Sequence, residues 1–163
     1  MTVDGLRDYG MVRMDDDEIQ GFLSSQQTGV LGLSADDAPI MRPMSFWYDG
    51  ASSLYILYVL GTSSRKAELT DRADVARFLV YRADTPFNWM SVLLTGTITP
   101  VSEDKQDEIQ EKMEMRWRPD VFERASTSGN TTLYQFRIED QAGIKHLGLP
   151  PGLEPDSSED QSK

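Results

Sequence analysis

The sequence contains no cysteine, which removes thiol nucleophiles, disulfide exchange, thiolate zinc sites and cysteine-bound iron–sulfur clusters together. Its one histidine, His146, leaves no material for an all-histidine metal site. Apolar runs are short. None approaches the about 20 residues needed to span a bilayer as a helix, and Met1-Thr2-Val3-Asp4 lacks a basic region followed by an apolar one. A soluble, cytoplasmic protein is therefore expected. Cations are scarce too: 16 Lys and Arg stand against 27 Asp and Glu, for a net charge of −11. That field repels nucleic acid and anionic membranes and favours small ligands or basic partners.

The acidic residues cluster at Asp15-Asp16-Asp17 and Asp36-Asp37. Hard cations want several carboxylate oxygens, but neither cluster has the spacing of a calcium loop. They read as solvated surface charge, and no metal is expected. The acidic bias as a whole is that of a halophilic protein, suited to a saline cytoplasm.

The 163 residues suit one domain. Residues 1–13 are polar and uneven and read as a flexible arm, 14–149 as the folded domain, and the proline-rich acidic stretch 150–163 as a disordered tail. Within the domain, aspartates at a helix N-terminus followed by Ile19, Phe22 and Leu23 on one stripe predict a helix over 15–25. Residues 28–33 and 39–48 read as strands, and Asp49-Gly50 as a hairpin turn. Residues 54–60 are apolar at every position, which suits a strand covered on both faces.

A helix is expected over 63–71, a strand over 75–82, and a long strand over 89–101 bent or bulged at Gly96. A polar helix then opens at Ser102 and carries Ile109, Met113 and Trp117, and a last strand spans 131–138. About six strands and three helices, joined mostly by short turns, point to an antiparallel barrel rather than βαβ units.

In this acidic chain Gly61-Thr62-Ser63-Ser64-Arg65-Lys66 stands apart. Hydroxyls and two adjacent cations precede a helix whose first N–H groups have no intrahelical partner, an arrangement that receives phosphate. Alone, the segment is better explained by a serine cap beside two solvated cations, because Ser-Arg-Lys is a common tripeptide. The preceding hairpin adds weight. Arg42-Pro43-Met44-Ser45-Phe46-Trp47-Tyr48-Asp49-Gly50, then Leu54 to Gly61, then Ser64-Arg65-Lys66-Ala67-Glu68-Leu69 resembles the flavin-binding core of the pyridoxamine 5′-phosphate oxidase-like superfamily.

The resemblance extends more weakly over about residues 14–140. It implies a mainly β fold with flanking helices, the FMN-binding split β-barrel. By matching positions, Ser63, Ser64, Arg65 and Lys66 would take the FMN phosphate. Arg42, Pro43, Met44, Ser45 and Phe46 would line the ring, largely through backbone groups, with Tyr58 and Val59 beside them. Ser91 falls where the family often has a polar flavin contact. Tyr58 and Ser91 are equally readable as core packing, and Trp89 and Trp117 read as core or interface.

The resemblance further implies a homodimer with flavin at the interface and flavin-based oxidoreduction, in which no side chain need act as nucleophile. True pyridoxamine phosphate oxidases carry a C-terminal segment with Trp and Arg. Here no Trp follows Trp117, so the vitamin substrate is not implied. The alternatives are a deazaflavin- or heme-using member of the same fold, a flavin-binding electron carrier without turnover, and a purely structural barrel. His146, beyond the matching part, reads as a surface residue.

Overall fold

The computed structural model describes residues 10–59, 65–114 and 131–148. In chain order the elements are β1 (Met11–Arg13), α1 (Asp16–Ser25), β2 (Thr28–Leu33), β3 (Ile40–Tyr48), β4 (Ser53–Val59), α2 (Arg65–Arg72), β5 (Ala76–Thr85), β6 (Asn88–Pro100), α3 (Glu103–Glu114) and β7 (Thr131–Leu147). Every strand pairing is antiparallel. The order is β1-β7-β4-β3-β2-β5-β6, and β6 also pairs with β7. Strands β2 to β7 thus close into a six-stranded barrel, with β1 added along β7.

Local chemistry accounts for the pieces. The Asp15 carboxylate accepts the Glu18 backbone N–H at 2.8 Å, and Asp16, Asp17 and Glu18 fill the first turn of α1. Ile19, Phe22 and Leu23 on its other face are buried. The β3–β4 hairpin turns on Asp49, whose carboxylate accepts the N–H groups of Ala51, Ser52 and Ser53 at 2.8, 3.0 and 3.1 Å. Gly50 follows at φ +85°, a left-handed conformation that costs glycine nothing.

Inward residues of the barrel strands form the core: Leu31 and Leu33 of β2, Met44, Phe46 and Tyr48 of β3, Phe78 and Val80 of β5, Val92 and Leu94 of β6, and Phe136 of β7. Phe78 sits between Phe46 and Phe136, at ring centroid distances of 5.4 and 6.1 Å. The uniformly apolar β4 is explained by α3. Ile109 and Met113 of that helix join Val101, Leu133, Trp47, Tyr55 and Leu57 in a second cluster, so the outer face of β4 is covered as well as the inner.

The termini of the domain differ from the sequence reading. Residues 11–13 are β1 rather than arm: Met11, Val12 and Arg13 pair with His146, Lys145 and Ile144, and the Met14 N–H donates to the Gly143 carbonyl at 2.8 Å. Residues 1–9 and the expected tail at 150–163 lie outside the described residues. β7 runs on to Leu147, nine residues past the expected end at Ile138. The polar Glu139-Asp140-Gln141 continues the strand and meets the acidic first turn of α1. Gln141 Nε2 donates to Asp16 at 3.0 Å, and Lys145 pairs with Glu18. The register between β6 and β7 shifts between Thr95 and Gly96, the bulge foreseen there. Helix α3 is described as far as Glu114, so Trp117 lies outside the described residues.

Candidate ligand-binding split

The barrel parts between β3 and β4. These strands pair only at Phe46↔Ile56, Trp47↔Tyr55 and Tyr48↔Leu54, whereas β3 stays paired with β2 from Ser45 back to Ile40 and β4 stays paired with β7 through Val59. The Phe46 N–H donates to the Gln27 carbonyl at 2.9 Å, on the β2 side. Strand alternation then directs the main-chain groups of Phe46, Met44 and Arg42 toward β2, and those of Ser45, Pro43 and Met41 toward the split. The same alternation on β4 turns Leu57 and Val59 toward it. Continuing the register would set Pro43 opposite Val59, where a hydrogen-bonded pair needs an N–H that proline lacks.

This sorts the five consecutive β3 residues singled out above. Met44 and Phe46 are buried core, 8% and 1% exposed, and their main chain is engaged with β2. Pro43 and Ser45 are exposed and present their main chain to the split. Arg42 continues the inward row of Met44, Phe46 and Tyr48 to the barrel rim. It is exposed there, and its Nη1 donates to the Met41 carbonyl at 3.1 Å.

Arg65 and Lys66 are the first two residues of α2, which follows β4 in the chain. Ser63 and Ser64 lie outside the described residues. Val59 ends β4, beside the split.

Tyr58 is wholly buried. Its ring lies 4.2 Å from that of Tyr134, tilted by 38°, and its hydroxyl shares a 3.0 Å hydrogen bond with Thr70 Oγ1 on α2. Thr70 is itself 2% exposed. Burial pushes the Tyr58 phenol up to about 12, with smaller upward contributions from Tyr134 and Asp71 and a downward one from the Thr70 hydrogen bond. The side chain is therefore core, and the main chain of Tyr58 faces Thr132 of β7 rather than the split. Sequence reasoning missed Thr70, whose one signal was a hydroxyl beside Leu69 on an otherwise polar short helix.

Ser91 is not brought to the split. It lies on β6, paired with Tyr81 and Ile144, and lines a hollow of about 310 Å³ with Leu79, Tyr81, Ala83, Trp89 and Met90. A larger hollow of about 500 Å³ adjoins it on the outer face of β2, β3, β5 and β6, lined by Val30, Met41, Leu79 and Leu93 with Arg77 as its cation. Met41, Val75, Tyr81 and Leu93 leave this face apolar and exposed.

His146 also departs from its sequence reading. It is 5% exposed rather than on the surface, because the continued β7 sets it opposite Trp89 of β6 and Met11 of β1. The rings of Phe87 and Trp89 meet it edge-on, each at 5.9 Å, and its Nε2 is buried without a hydrogen-bond partner. Among the described residues no three His, Asp or Glu side chains are grouped to hold a metal ion, and no helix is long and apolar enough to cross a membrane.

A closed antiparallel six-stranded barrel, parted along one strand pair and flanked by helices, is a split β-barrel. The sequence profile of the pyridoxamine 5′-phosphate oxidase family matches residues 15–145, and the chain belongs to that family. Solved structures agree on the fold. An FAD-binding protein from Mesorhizobium loti superimposes with a TM-score of 0.64 at 15% identity, over 85% of this chain and 98% of its own. The FAD and heme binding protein from Mycobacterium smegmatis gives 0.65 at 14% identity, over 86% and 75%. The flavocytochrome Anf3 from Azotobacter vinelandii gives 0.62 at 16% identity, over 86% and 71%. A search of curated proteins finds no significant match.

Proposed function

We propose that this chain binds flavin mononucleotide in the split between β3 and β4 and works as an FMN-dependent oxidoreductase. The observation that carries this reading is the parted ladder itself. Main-chain groups of Met41, Pro43 and Ser45 face away from β2 with no β4 partner, and a helix beginning Arg65-Lys66 follows β4.

The donor set suits the cofactor. Backbone amides and carbonyls along a strand edge match the alternating donors and acceptors on the rim of a flavin ring. Two cations and the hydroxyls of Ser63 and Ser64 at a helix start match a phosphate dianion. Three fold relatives are named for flavin or flavocytochrome content, which supports a flavin over other planar ligands. When bound, the flavin supplies the hydride or electron transfer. The chain supplies anchoring, ring orientation and electrostatic tuning.

The exposed apolar face over β2, β5 and β6 supports the homodimer implied by the family. In such a dimer Ser91, remote from the split of its own chain, becomes available to the flavin of the other. The cofactor reading is tested by the absorbance spectrum of the purified protein and chromatography of the chromophore released from it. FMN is expected. Released FAD, deazaflavin or heme would replace the cofactor assignment, and a colourless protein that ignores added FMN would overturn it. Turnover is tested by whether reduced nicotinamide bleaches the bound flavin.

A further inference from the structure

We propose that the hollow of about 500 Å³ on the outer face of β2, β3, β5 and β6 binds a small monocarboxylic acid with an apolar tail, its carboxylate held by Arg77. The site is separate from the split and does not rest on the flavin reading.

Gly32 is the floor of the hollow. It stands between Met41 of β3 and Arg77 of β5, its partners in the two ladders. A glycine inside a strand weakens it and commonly marks a close approach of other atoms. At Gly29 this is so, because an added Cβ would overlap the Phe78 ring. At Gly32 the nearest atom would be the Arg77 carbonyl oxygen at 3.7 Å. Packing does not demand this glycine, and its missing side chain opens the space between Met41 and Arg77. One row along the sheet, Val30, Leu79 and Leu93 stand side by side as an apolar wall. The smaller hollow of about 310 Å³ begins at Leu79 and gives a tail room to extend.

Arg77 is the one charged side chain in the lining, and Ser34 the one hydroxyl. Among the described residues Arg77 takes part in no ion pair and no side-chain hydrogen bond. The chain has 27 acidic residues against 16 basic ones, yet none of the described acids pairs with this guanidinium. Its fork of N–H groups matches a carboxylate, and the wall beside it matches an apolar tail. The net charge of −11 draws cations rather than anions to the surface at large. A preference for a carboxylate therefore reports on Arg77 and not on the field of the whole molecule.

The experiment titrates hexanoate, octanoate and hexylammonium into the isotope-labelled protein and follows its amide signals by NMR. Hexanoate should shift the amides of Gly32 and Arg77 and bind more tightly than hexylammonium. Each methylene added up to octanoate should tighten binding by up to about fourfold. Arg77→Gln should weaken hexanoate by about five- to tenfold, the scale of a charge-assisted hydrogen bond still partly in water, and erase the preference over hexylammonium. Gly32→Val fills the floor, keeps Arg77, and should weaken both acids.

Hexylammonium binding as tightly as hexanoate, or hexanoate affinity unchanged in Arg77→Gln, would overturn the proposal. That variant changes an exposed side chain, so it decides the question even if Gly32→Val fails to fold. The competing occupant is a second copy of this chain, and light scattering during the titration detects it. Hexanoate bound to a dimer supports a hollow roofed by the second copy; a dimer whose formation abolishes hexanoate binding would give the hollow to the second copy and overturn the proposal.

Discussion

Gly96→Ala should damage the barrel far more than the loss of a glycine ordinarily would. A Cβ built at this position overlaps the Arg137 carbonyl oxygen and comes within 2.9 Å of the Arg137 carbonyl carbon and 3.0 Å of Phe136 Cε1. Two of the three obstacles are backbone of β7, so no side-chain rotation relieves the clash. Position 96 is also where the β6–β7 register shifts, along the pairing that closes the barrel. Forcing a methyl into a packed site costs about 1–3 kcal/mol, and losing one or two flanking ladder hydrogen bonds adds about 1 kcal/mol each. The sum is about 2–5 kcal/mol.

Gly32→Ala is the control. It lies on the outer face of β2, where the nearest atom to an added Cβ is the Arg77 carbonyl oxygen at 3.7 Å. It should be neutral, or stabilising by about 0.4–1 kcal/mol through the unfolded state. Urea unfolding followed by far-UV circular dichroism reads both. With a slope of about 2 kcal/mol per molar, Gly96→Ala should lower the midpoint by about 1–2.5 M while Gly32→Ala holds it. A Gly96→Ala midpoint within about 0.3 M of the parent would refute the close approach of β6 and β7.

Three further outcomes follow from the same geometry. The Tyr58 phenol is raised to about 12 in the folded state against about 10 unfolded. The unfolded chain therefore releases this proton first, and stability should fall by about 2–3 kcal/mol as pH rises from about 10 to about 12. Burial also raises Tyr48, Tyr55 and Tyr134, so Tyr58→Phe should flatten the alkaline loss without abolishing it, and an unchanged slope would count against Tyr58 as its main source. Phe78→Ala, emptying the centre of the aromatic core between Phe46 and Phe136, should cost about 3–5 kcal/mol in the same urea assay. Leu93→Asp, on the exposed apolar face, should convert the proposed dimer to monomer in light scattering; a dimer that persists would move the interface elsewhere.

The parts of the fold legible in sequence were those with a local cause. The N-cap and apolar stripe of α1, the Asp49-Gly50 turn, and the bulge at Gly96 each declare themselves within a few residues. The uniformly apolar β4 announced a cover on both faces, though not that α3 would supply it. The second half of β7 was illegible because its polar residues are satisfied by Asp16 and Glu18, more than a hundred residues away in sequence. The burial of His146 depends on that same extension. β1 was missed because three residues against a strand edge carry no periodicity.

For the candidate site, the sequence indicated a stretch of β3 but not which of its residues face outward. That division depends on which neighbour takes the main-chain hydrogen bonds, and so on a pairing that stops at Phe46. Tyr58 read equally as cofactor contact or core, and its bond to Thr70 decides for core. Ser91 read as a flavin contact only through the resemblance, and within one chain it lies on a different strand from the split.

A flavin phosphate held at the start of α2 can be sought by titrating FMN and riboflavin into the parent protein and the Arg65→Ala/Lys66→Ala double variant. The double variant should lose a few kcal/mol of FMN affinity, the scale of two charge-assisted hydrogen bonds, and keep its weaker riboflavin affinity. FMN affinity unchanged by the removal of both cations would contradict it.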